Sequence, residues 1–446
     1  MSSAPLPRAL LVSYGLPMGG YLAMSLPVGM WLMKHATDTL LIAPAAMGAI
    51  FAAARVWDAI SDPLAGYLSD RTRSRLGRRR SWLVYSVVPL AITYVMLWSP
   101  PSVLEGVWLV AWVFAAMLLW ETASTAFYIP YSALGIELSN DYHERTRLFA
   151  WRQMLTTLGY GVSLGLLYVL RTAEAPRQAA LTTSASTGIA LALLILVCAA
   201  RTPEPVSHVD RGGTGLWASF RDVARNPHAL RLFVVYGVDA FGLGIVATLA
   251  PYLLDDVVGR VDLLETFLAC WMVPQFLLVP LWIRASRRFG KKSLWLGAMA
   301  IVSVGFGAQY FAGEDSVGLV IACVIAIGIG SSVSSVIGPS MQADCVDYDE
   351  WISGERKEGA YAAIWNFIRK AGSAGAAAIG GLALSLGGYD ATAELQNETT
   401  RQAIRLTAAI LPALLFGLGL LALSGFSLNE QEHAEIGARL RERRSD

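Results

Sequence analysis

The chain has 446 residues, 55% of them hydrophobic and 15% charged, and a net charge of +1; its mean hydropathy is +0.49. Soluble domains carry about 25% charged residues, so this composition excludes a soluble globular protein and describes one that crosses a membrane many times. It also lacks basic stretches interleaved with aromatics, which excludes nucleic acid as a partner.

A spanning helix needs roughly 20 apolar residues. Such windows predict twelve helices, over residues 9–34, 41–69, 80–99, 106–138, 147–170, 181–200, 229–254, 262–284, 293–312, 316–345, 358–387 and 402–427. The first follows Arg8 and has no small-residue cleavage site, so it reads as a retained span and not as a signal peptide. It supplies Tyr14 and Tyr21, hydroxyls on aromatic bodies, which suit ligands of mixed polarity.

The second window holds the most informative pattern, Arg55-x-x-Asp58-x-x-Ser61-Asp62-Pro63. An ionised carboxylate at the bilayer centre costs about 2.5–3.5 kcal/mol on insertion scales. Asp58 and Asp62, four residues apart, share a helix face, which points to a small cation as guest. Pro63 removes a helical N–H, so a bend that frees backbone carbonyls is expected here. A basic connection follows, with Arg71, Arg73, Arg75, Arg78, Arg79 and Arg80.

On the fourth window Glu121, Thr125 and Tyr128 fall on one helix face. Glu121 there is either a cavity-facing acceptor or the partner of Arg152 on the fifth window. Cys198, Cys270, Cys323 and Cys345 lie in or beside spans, with neither disulfide nor metal-ligand spacing. The polar stretch from Arg201 to Pro227, with Pro203, Pro205, Gly212 and Gly213, reads as a linker. The expected organisation is a six-helix bundle over 1–200 carrying the cation residues, a cytoplasmic linker over 201–228, a second bundle over 229–427 and a cytoplasmic tail over 428–446.

On the eleventh window Trp365 and Asn366 precede Lys370 by about a turn, in a stretch rich in glycine and alanine that favours close helix packing. Cations gather in the even-numbered connections and the tail, with Arg287, Arg288, Lys291 and Lys292 after the eighth window. The positive-inside rule therefore places both termini in the cytoplasm.

The halves repeat weakly. Arg75-Leu-Gly-Arg matches Arg288-Phe-Gly-Lys, Pro130 matches Pro339, Glu144-Arg145 matches Glu355-Arg356, and Trp151 matches Trp365. These fall in order at nearly one offset, as parallel six-helix repeats require. No nucleotide loop, metal motif or nucleophile–base signature occurs, so no enzyme is expected.

Four stretches, Arg55–Arg80, Ile129–Gln153, Ala343–Glu350 and Gly354–Ala374, together resemble the glycoside–pentoside–hexuronide:cation symporters of the major facilitator superfamily. The resemblance implies an all-α membrane protein of twelve transmembrane helices in two six-helix pseudo-repeats, with alternating access to a substrate site between them. It implies that Asp58 and Asp62 supply carboxylate oxygens to a coupling cation, that Ser61 stands where relatives carry asparagine, and that Thr125 supplies a hydroxyl. Sodium, a hard ion that prefers oxygen, is the favoured guest at Asp58 and Asp62; a proton shared by the two close carboxyls is the alternative.

Sugar-transporting relatives place acids where this chain has Tyr21 and Tyr128, whereas their basic members are kept as Arg152 and Lys370. That implies an electropositive cavity suited to an anionic glycoside or uronate, with Tyr21, Glu121, Tyr128, Arg152, Trp365, Asn366 and Lys370 as substrate contacts. A sodium-dependent lysolipid symporter is the second reading, and a non-transporting sensor on the same scaffold the third. Gating pairs are expected at Asp70 with Arg78, at Glu144 with Arg145, and at Asp347 with Arg356. No cofactor beyond the coupling ion is implied. The partners are a small solute, the cation and membrane lipids; a monomer in a bacterial inner membrane is expected.

Overall fold

In hydrocarbon a backbone must satisfy its own polar groups, and helices do so within one segment. The computed structural model describes residues 6–138, 142–203, 226–314, 316–353, 358–393 and 395–428, with isolated positions at 223, 432, 436 and 439, and these contain helix but no strand. The expected linker lies largely outside the described residues. Nine helices among the described residues are long and apolar enough to cross a membrane. Helices also cover the second, ninth and eleventh predicted windows, at Pro44–Arg71, Lys291–Gln309 and Glu358–Leu386.

The chain folds as two compact units, Met1–Arg211 and Gly212–Asp446. The first contains α1 (Arg8–Met30), α2 (Leu32–Asp38), α3 (Pro44–Arg71), α4 (Arg78–Trp98), α5 (Gly106–Glu137), α6 (Tyr142–Thr172) and α7 (Pro176–Arg201). The second contains α8 (Pro227–Tyr252), α9 (Leu264–Leu277), α10 (Val279–Phe289), α11 (Lys291–Gln309), α12 (Val317–Ser353), α13 (Glu358–Leu386), α14 (Glu398–Arg405) and α15 (Leu411–Ser424). Five-residue π turns extend α8 and join α14 to α15. Prolines begin α3, α7 and α8, where a missing N–H leaves no helical bond unmade. The α8 start is fixed further by Asn226, whose side chain accepts from the His228 and Ala229 amides and donates to the Cys345 carbonyl and the Tyr361 hydroxyl. Pro63 does not end α3, which continues to Arg71.

Packing follows the same plan in both units. In the first, α1 packs on α6 and α7, α3 on α5, and α4 on α5 and α7. In the second, α8 packs on α13 and α15, α9 on α12, and α11 on α12 and α15. The repeated Arg/Leu/Gly and Arg/Phe/Gly strings have matching backbones: Gly77 and Gly290 each precede a helix, with φ of 102° and 78°. Close helix approach recurs too. A Cβ on Gly19 of α1 would stand 2.6 Å from the Leu155 carbonyl of α6, and one on Gly244 of α8 would stand 2.7 Å from the Ala376 methyl of α13. Between apolar helices in lipid, such contact supplies the van der Waals attraction that burial supplies in water.

Candidate cation and substrate site

The geometry of α3 against α5 brings the cation candidates together. One helical turn separates Arg55 from Asp58, and the guanidinium donates to Asp58 Oδ2 at 2.9 Å. Its other terminal nitrogen donates to Glu121 Oε1 of α5 at 2.8 Å. A turn further along, the Thr125 hydroxyl donates to Asp62 Oδ1 at 2.9 Å, and the Ser61 hydroxyl lies 3.5 Å from Thr125 Oγ1. Asp58 is 2% exposed and Glu121 6%, so these charges are withheld from solvent. Trp57, next to Asp58 in sequence, closes the same seam by donating its indole N–H to Thr122 Oγ1 at 2.8 Å.

Two environments result. Asp58 and Glu121 share one planar cation, whose fork of donors suits two carboxylates at once. Asp62, Ser61 and Thr125 form a cluster of oxygens, one carboxylate with two hydroxyls, which is the donor chemistry of a hard cation. Three carboxyl groups and one guanidinium leave this stretch with excess negative charge when all are ionised, and a monovalent cation would reduce that excess. Among the described residues no three His, Cys, Asp or Glu side chains converge as a metal-binding group. A guest here would therefore depend on the hydroxyls as well as the acids.

Of the expected substrate contacts, Tyr21 of α1 lies in an aromatic cluster with α5. Its ring centroid is 6.0 Å from that of Tyr128, 5.6 Å from Phe127 and 6.4 Å from Trp120. Arg152 of α6 is half-buried, its guanidinium 4.7 Å from the Phe149 ring centroid. In the second unit Trp365 is buried, 4.0 Å from Tyr236 and 5.4 Å from Phe233 between ring centroids. Asn366 is exposed and Lys370 half-buried on the same helix.

The expected gating residues fall unevenly. The side chain of Asp70, that of Arg145 and all of Arg356 lie outside what the structure describes. Glu144 accepts from the Leu6 amide at 2.8 Å and from Arg147 at 3.3 Å. Asp347 is half-buried at the end of α12. Arg78 and Arg79 converge on Glu137, at 2.7 and 3.2 Å, and Arg79 also donates to Ser69. The second unit repeats this device: Lys291, at the start of α11, pairs with Asp344 near the end of α12 at 2.6 Å.

Sequence reasoning did not single out Glu137 or Asp239. Glu137 is the only acid between Glu121 and Asp141, and Asp239 is the only charge between Arg231 and Asp255. Each isolation was a readable signal.

A family model described as "MFS/sugar transport protein" matches residues 13–430. The chain belongs to this family. It is thus a membrane transporter and not an enzyme. The chain is 28% identical to the inner membrane symporter YicJ of Escherichia coli over 87% of this chain and 85% of that protein. It is 26% identical to a putative sulfoquinovose importer of Escherichia coli, covering 97% and 94%. To the sodium-dependent lysophosphatidylcholine symporter 1-A of Danio rerio it is 22% identical, covering 91% and 82%. The fold resembles a crystal structure of a variant of the nucleoside transporter NupG, with a TM-score of 0.67 at 13% identity over 94% of this chain and 100% of that one.

Proposed function

We propose that this transporter is a symporter that couples a cation at Asp58, Ser61, Asp62 and Thr125 to an anionic sugar derivative. The observation that carries the reading is the oxygen cluster of Asp62, Thr125 and Ser61, set beside an arginine-clamped pair of acids. Sodium is the proposed ion, because the cluster offers hard oxygens only. For the solute, Arg152 and Lys370 supply positive charge, while Tyr21 and Tyr128 replace acids with neutral hydroxyls. A sulfonated or carboxylated sugar suits that balance, and the family description and the sulfoquinovose importer favour a sugar derivative. Proposed substrate contacts are Tyr21, Glu121, Tyr128 and Arg152 in the first unit and Trp365, Asn366 and Lys370 in the second. The termini are proposed to face the cytoplasm and the protein to work as a monomer in a cell membrane.

Calorimetric titration of the purified protein with sodium chloride, against choline chloride, tests the cation half. Saturable binding is expected in the wild type and its loss in the Asp58→Asn/Asp62→Asn double variant. Equal heats in both proteins would overturn it. A lysolipid is the second solute reading, favoured by the lysophosphatidylcholine relative. Uptake of a sulfonated sugar against a lysophospholipid into proteoliposomes under a sodium gradient separates the two.

A further inference from the structure

A groove of about 770 Å³ lies between α4 and α7 in the first unit. The helices touch at its deep end, where a Cβ on Gly188 would stand 3.3 Å from the Ala91 methyl. At its other end are Ser99, just past α4, and Arg177, the second residue of α7. The α7 wall is Gln178, Leu181, Ala185 and Ile189, spaced three and four apart as one helix face requires. Trp112 of α5 forms a flank, fixed by its indole N–H, which donates to the Met96 carbonyl at 3.0 Å.

The groove has the dimensions of one bilayer leaflet. Twelve residues separate Arg177 from Ile189, about 18 Å along the helix axis, and half of the hydrocarbon core is about 15 Å. Both helices are apolar enough to span a membrane. Trp108 is exposed beside Trp112, and tryptophans gather at the level of the lipid headgroups. Ile92, Leu181 and Ile189 are also exposed along the groove, so its walls offer apolar surface that no protein side chain covers among the described residues.

The polar end has one sign of charge. Arg177 is the one charged residue in the lining. It is exposed, and no ion pair holds it among the described residues. Glu105 and Glu174, the acids of the adjoining turns, do not line the groove, and Asp38 is paired with Lys34 at 2.9 Å. Ser99, Ser102 and Gln178 add hydrogen-bonding groups beside the guanidinium. The first turn of α7 has no side-chain cap, so the positive end of its dipole faces the same way. An arginine fork suits a phosphate, and a leaflet-long apolar channel below it suits an acyl chain.

We propose that this groove binds an anionic phospholipid of the surrounding bilayer, with one acyl chain between α4 and α7 and its phosphate at Arg177. None of the proposed cation or solute contacts lines it, so the lipid site stands or falls independently of the transport reading.

Native mass spectrometry of the full-length protein, released from detergent with phosphatidylglycerol and phosphatidylcholine of identical chains, tests this. One phosphatidylglycerol should be retained over phosphatidylcholine by about fivefold, as one basic side chain at a lipid headgroup provides. Arg177→Gln should abolish the preference. Arg171→Gln, which removes a cation from the end of α6, should keep it. Ala185→Trp should fill the groove and remove both lipids; if it does not fold, Ile92→Trp on the opposite wall serves. Equal retention of the two lipids by the wild type, or a preference that survives Arg177→Gln, overturns the proposal. So does a preference lost equally in Arg171→Gln, which would mark a general surface charge. Retained detergent in place of lipid, or a lipid-free dimer dispersed by Ala185→Trp, would assign the groove to another occupant and overturn it too.

Discussion

Arg55 sets the terms of the proposed cation site. One guanidinium serves Asp58 and Glu121 together, so the two acids compete for it. Replacing Glu121 by Gln turns the whole of that charge toward Asp58 and removes a negative charge from the neighbourhood. Both changes disfavour an incoming cation. We expect Glu121→Gln to weaken sodium binding by about 1 kcal/mol, roughly fivefold; unchanged or tighter affinity would show that the clamp is not shared in the way the geometry indicates. Much of this site was legible in the sequence, because charges in an apolar run stand out and the spacing of Asp58 and Asp62 alone places them on one face. The partner of Glu121 was not legible. Its position on α5 allows either Arg152 or Arg55, and the choice depends on how α5 is rotated against α3. Helical spacing within one element says nothing about that rotation.

At the scale of elements, two kinds of glycine hold the helices in register. Gly77 and Gly290 start α4 and α11 with φ of 102° and 78° and ψ of 162° and 151°, a region almost confined to glycine that costs other residues about 1–3 kcal/mol. Gly77→Ala and Gly290→Ala should each lower stability by about 1 kcal/mol. Gly19 is of the second kind, since any side chain there meets the α6 backbone. Gly19→Leu should cost more, about 1–3 kcal/mol as overpacking does, and the order of the three melting midpoints in detergent checks both statements. A midpoint for Gly77→Ala at or above wild type would refute the strain argument. The glycine match was readable as a string repeat. The close approach at Gly19 was not, because an α-helix with a glycine looks the same in sequence whether a neighbour is near or far.

At the scale of the whole molecule, each unit ties the start of its third long helix to the end of its fourth by a basic–acidic contact. In the first unit the acid is Glu137, taking two arginines of which Arg79 is 7% exposed. Hydrogen bonds to charged groups are worth about 1.5–3 kcal/mol. Glu137→Gln should therefore lower the stability of the first unit by an amount in that range and leave the second unit intact. Hydrogen exchange followed by peptide mass spectrometry resolves the two: faster exchange confined to peptides before Arg211 is expected, and equal acceleration in peptides of α11 and α12 would contradict it.

The bond from Trp57 to Thr122 has an optical side. This indole neighbours Asp58 in the chain and bridges to the helix that carries Glu121 and Thr125, while 38% of its surface stays exposed. Indole emission responds to nearby charge and to the loss of an N–H partner. The protein thus carries a native fluorophore at the seam of its proposed cation residues, and a Trp57→Phe control isolates its signal from the other tryptophans. If the proposed cation binds at this seam, its arrival should be timed by light, with no dye and no transported solute in the cuvette.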